Sequence, residues 1–102
     1  MDGAADVVRD LEARLARYLA LTAQALQKAQ LAPPPRSFLR RGAEDVLSMA
    51  RTYYQDALHF QSQHDLPRAL AAVSYAHGWI DAGVRLGLLD GGNDEELFTQ
   101  FS

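Results

Sequence analysis

The stretch from Ala69 to Leu88, ALAAVSYAHGWIDAGVRLGL, is the strongest constraint on what this chain can become. It is rich in Ala and Gly and carries only one His, one Asp and one Arg. Apolar residues recur at helical spacing on nearly every side. A helix of that kind either sits at the centre of a bundle or presents a surface built to be covered.

Placed on a helical wheel at ~100° per residue, the stretch separates into three surfaces. Leu66, Ala69, Leu70, Val73, Ala76, Ile80, Gly83, Val84 and Gly87 share the face expected to point into the bundle. Ala69, Ala76, Gly83 and Gly87 form a small-residue strip on it. Glycine costs ~1 kcal/mol against alanine inside a helix, so Gly78 and Gly83 point to close approach by a neighbour. Ala72, Tyr75, Trp79 and Leu86 form a second apolar face, which a three-helix bundle leaves open to solvent. Ser74, His77, Asp81 and Arg85 form a narrow polar edge.

The remainder of the chain reads as helix as well. Proline occurs only at Pro33 to Pro35 and at Pro67, and β-branched residues are few. These prolines divide the chain into helices over about 5–31, 38–63 and 66–88, with a tail over 89–102. The first helix carries a heptad seam of Val8, Leu11, Leu15, Tyr18, Thr22, Ala25 and Ala29, widened by Leu19 and Leu26. The second carries Leu39, Ala43, Val46, Ala50, Tyr53, Ala57 and Phe60, with Leu47, Tyr54 and Leu58 beside them. Ser37 and Asp65 stand where N-caps are wanted, His64 reads as a turn residue, and either Gly87 or the Gly91–Gly92 pair is placed to end the third helix. Short connections make consecutive helices antiparallel. The expected fold is therefore all-α: one up-down-up antiparallel three-helix domain over residues 1–102, with a short C-terminal tail packed on it.

At 102 residues the chain has enough length for one hydrophobic core. It has no cysteine, which removes disulfides, Fe–S clusters and thiolate zinc. The N-terminus has acids early and no apolar stretch, so it does not read as a signal peptide. No apolar run reaches the ~18 residues that span a bilayer, and a cytoplasmic protein without membrane contact is expected. A net charge of −3 argues against a dedicated nucleic-acid binder. Arg36, Arg40 and Arg41 are the one basic cluster; solvated charge near a helix start is the simpler reading, and weak RNA contact the alternative.

His77, Asp81 and Arg85 are spaced four apart, so they stack along one helix edge. An Asp orienting a His, itself paired by an Arg, is the arrangement of a tuned general base. The same spacing also makes an ordinary charge ladder. Tyr53 and Tyr54 on the second helix are the other residues such a ligand site would use, and it requires an accessible His77 facing that helix. No nucleophile motif accompanies them, so no catalytic residue is assigned and an enzyme is not the expected class. His59, His64 and His77 lack metal-ligand spacing, and no motif calls for a cofactor.

Three stretches carry a resemblance: YLALTAQAL (18–26), RRGAEDVLSMARTYYQDALHF (40–60) and DLPRALAAVSYAHGWIDAGVRLGLLDG (65–91). Through them the chain resembles an archaeal family known as domain of unknown function 357. The last stretch is the most specific. The resemblance implies a compact three-helix bundle and brings no activity, cofactor or catalytic residue with it. A looser likeness to HEPN-type nuclease domains lacks their Arg–His spacing, since Arg51 to His59 and Arg68 to His77 are both too long.

The leading functional expectation is a non-catalytic module that works by association, as a homodimer or with a protein partner, through Tyr75, Trp79 and Leu86. Either that partner or the LFTQF tail would cover the patch. The alternatives are the His77/Asp81 ligand site and the arginine cluster.

Overall fold

The computed structural model describes residues 2–92. Three helices, α1 (Asp2–Lys28), α2 (Arg40–Ser62) and α3 (Leu66–Arg85), form an all-α bundle, joined by a minimal pair of strands, β1 (Gln30–Leu31) and β2 (Leu89–Asp90).

All three helices end before the boundaries read from the sequence. α1 stops at Lys28 rather than near 31. Proline disfavours helix in the residue before it, and the freed backbone of Gln30 and Leu31 pairs antiparallel with Asp90 and Leu89. α1 and α3 therefore deliver their C-termini to the same end, which makes them parallel and α2 antiparallel to both. α2 starts at Arg40, and Ser37 is not its cap. The Ser37 hydroxyl instead accepts from the Leu39 N–H (3.2 Å) in a tight turn, and Leu39 is the uncapped N-cap residue. Leu39, expected in the α2 seam, is consequently exposed, and Phe38 beside it is 96% exposed.

The α2–α3 connection performs two tasks in three residues. His64 adopts a left-handed backbone (φ 57°), while the N–H groups of His64 and Asp65 return to the carbonyls of Gln61 and Phe60 (3.0 and 2.9 Å). This is a Schellman closure with His in the place glycine usually takes. Asp65 then caps α3 by accepting from the Arg68 N–H (3.3 Å). α3 ends in the same way. Gly87 is left-handed (φ 76°), with Gly87 N–H bonded to the Val84 carbonyl and Leu88 N–H to the Gly83 carbonyl.

The core lies in two clusters stacked along the bundle. Leu15, Leu19, Ala57, Ala69, Ala72 and Val73 form one; Ala25, Ala29, Leu47, Ala50, Ile80 and Leu89 form the other, beneath the strands. α3 contributes to both, as its composition requires. Between the two levels the buried positions turn polar, with Thr22 on α1 and His77 on α3. The first turns of α1 contribute little. Val7 and Val8 are exposed, and Val8, read as part of the seam, borders a cavity with Glu12, Gln61, His64 and Leu66 rather than entering the core.

Candidate interaction groove

Gly83 and Gly78 show how α3 handles its two sides. A Cβ at Gly83 would lie 2.7 Å from Leu89 Cδ1 and 2.9 Å from Val46 Cγ1, so this glycine is demanded from inside the bundle. A Cβ at Gly78 would meet nothing within 4 Å. Gly78 is exposed, and no contact among the described residues requires it.

Gly78 lies in an open groove of about 630 Å³ on the α2–α3 face, lined by Tyr53, Ala71, Ser74, Tyr75, Trp79 and Ala82. Tyr53 of α2 stacks on Tyr75 of α3, with ring centroids 5.3 Å apart and planes at 26°. The wall is almost wholly apolar. Of the hydroxyls of Tyr53, Ser74 and Tyr75, that of Ser74 is donated to the Leu70 carbonyl (2.8 Å). Tyr75 is 62% exposed, Trp79 36% and Leu86, two turns beyond Trp79, 73%. The open apolar face expected from the sequence is therefore present. Its membership differs: Ala72, assigned to it on the wheel, is buried in the core, and the floor is made by Ala71, Ser74, Gly78 and Ala82. These were legible in principle, since Ala71, Tyr75, Gly78 and Ala82 alternate steps of four and three, a second heptad seam. Covering of this face by the LFTQF tail falls on residues that lie outside the described ones.

The polar edge comes out differently. Asp81 and Arg85 pair as their spacing requires, with Arg85 Nε donating to both carboxylate oxygens (3.1 and 3.0 Å). His77, which the ligand-site alternative requires to be accessible, is 2% exposed and is not part of the groove wall. The reason is its position beside Val73, Ala76 and Ile80, the innermost residues of α3. Tyr53 and Tyr54, grouped in the sequence reading, part company: Tyr53 lines the groove and Tyr54 packs against the core cluster around Leu15. No accessible base with an orienting acid results.

The arginine cluster is also divided. Arg40 donates to the Pro33 carbonyl (2.9 Å) and pairs with Glu44 (3.4 Å), holding the proline turn onto α2. Arg36 and Arg41 remain exposed. Among the described residues no group of His, Asp or Glu is placed to hold a metal ion, and no helix is long and apolar enough to cross a membrane.

A family model described as Protein of unknown function (DUF357) matches residues 17–89. No curated protein and no solved structure matches the chain. The matched region starts inside α1, two residues after Leu15, and ends in β2, so it takes in both core clusters from Leu19 onward and the whole groove. The chain belongs to the DUF357 family of proteins of unknown function.

Proposed function

We propose that this protein is a non-catalytic helical interaction module whose α2–α3 groove receives a helix. The observation that carries this reading is Gly78. A glycine in the middle of a helix costs about 1 kcal/mol against alanine, and no contact among the described residues recovers that cost. An incoming backbone that approaches closely over the missing Cβ would recover it. The shape of the wall supports a helix as the visitor. Small residues at steps of four and three, flanked by Tyr75 and Trp79, form a seam for close helix packing. Exposed aromatic side chains beside a small-residue floor are also the composition of interface anchors.

The groove can be tested with the neutral apolar dye N-phenyl-1-naphthylamine, added to dilute full-length protein. The chain's one tryptophan, Trp79, is in the groove wall and reports occupancy directly. The expected result is saturable dye fluorescence with energy transfer from Trp79, lost in Gly78→Leu. A folded wild type whose Trp79 neither transfers energy to the dye nor is reached by acrylamide would overturn the reading.

A further inference from the structure

We propose that the cavity where α1 passes the α2–α3 connection is a binding site for a small organic cation, a primary ammonium group carried on an apolar body. The site is separate from the groove and shares no residue with it. The cavity measures about 450 Å³, within the range of sites that hold small molecules. Leu15, 1% exposed, and half-buried Leu66 give it an apolar lining, which Val8 extends outward.

The charge in this wall stands where the fold wants an apolar residue. Val8, Glu12, Leu15 and Leu19 follow steps of four, three and four, a heptad seam with a carboxylate at one position. Leu15 and Leu19 of that seam are core residues. A glutamate on a helix is stabilised by a cation three or four residues away. Around Glu12 those positions are Val8, Leu15, Ala16 and Arg9, and Arg9 is engaged with Asp6 (3.4 Å) and the Ala5 carbonyl (3.5 Å). Glu12 makes no ion pair among the described residues. It is the only acid in the cavity wall, and no Lys or Arg lines it. The charge that complements this cavity is therefore positive.

His64 joins the wall from the connection, in a backbone conformation (φ 57°) that favours glycine. Glycine would close α2 there with less strain, and what the imidazole adds is a polar group lining this cavity. Gln61 adds an amide one turn earlier. Neither side chain makes a hydrogen bond among the described residues. A carboxylate, an amide oxygen and a ring nitrogen are three acceptors, and a primary ammonium brings three N–H donors. Glu12 is exposed, so water screens the ion pair and limits it to about five-fold in affinity.

The probe is benzylamine, with benzyl alcohol as its uncharged counterpart, each titrated into ¹⁵N-labelled full-length protein and followed by amide NMR shifts. Benzylamine should give saturable shifts over residues 8–16 and 61–66 and bind about five-fold tighter than benzyl alcohol. Glu12→Gln keeps the shape and should remove that preference. His64→Gly relieves the left-handed strain, so it should unfold at no lower temperature than wild type, yet bind benzylamine about five-fold more weakly. Equal binding of the two probes, or a preference unchanged in Glu12→Gln, would overturn the site. So would benzylamine shifts that fall on residues 71–82 of the groove instead, or a His64→Gly variant that binds as tightly as wild type.

Discussion

Gly78 and Gly83 share a helix and a residue type, and opposite substitution effects are expected of them. Gly83→Ala drives a methyl group into Leu89 and Val46, so it should destabilise by about 1–3 kcal/mol in urea unfolding. Gly78→Ala meets open space and should stabilise the monomer by up to about 1 kcal/mol. Equal effects at both sites would remove the distinction between an inward and an outward glycine. Thr22 supplies a third residue-scale test. Its hydroxyl is shut off from solvent and has no hydrogen-bond partner among the described residues, which leaves a desolvated polar atom between the two core clusters. Thr22→Val keeps the shape and removes that cost, so a gain of about 1 kcal/mol is expected from the unfolding midpoint. At this scale the sequence was legible where spacing alone decides, as for the Asp81–Arg85 pair. It was less so for His77, because the wheel puts position 77 at a boundary that a slight rotation of α3 carries into the core.

Elements were legible to within a turn, and the misses have a common cause. Hydrophobic period reports where a helix packs, whereas its ends are decided by backbone hydrogen bonds that period does not record. Asp65 and Ser37 both look like N-caps in the sequence, yet only Asp65 reaches an amide of the first helical turn. Asp65→Ala should therefore cost about 1 kcal/mol, while Ser37→Ala should cost much less, both read from thermal unfolding. The two short strands were missed for the same reason. Two residues each at Gln30–Leu31 and Leu89–Asp90 are too few to show a period of two, and their pairing depends on α1 and α3 ending side by side. α1 shows the reverse error. Its seam continues through Val8, which stays exposed beside a cavity shared with Gln61 and Leu66 and joins neither core cluster, and the family match likewise begins only at residue 17.

For the molecule as a whole, α3 organises both the inside and the outside. Its inner face links the two core clusters, and its outer face leaves a second heptad seam open beside α2. That an uncovered face exists was legible, because one helix carried more apolar surface than a three-helix bundle can bury. The groove itself was not, because it needs Tyr53 from α2, and the stacking of Tyr53 on Tyr75 depends on an interhelical register that no single helix encodes. The central claim is that this face is open in the protein and can be occupied. Acrylamide quenching of Trp79 fluorescence, measured without and with N-phenyl-1-naphthylamine, tests it most directly. Trp79 should be readily quenched in the free protein and shielded as the dye binds, with no such shielding in Gly78→Leu. A Trp79 already shielded in the free wild type, or equally quenched with and without the dye, would contradict it.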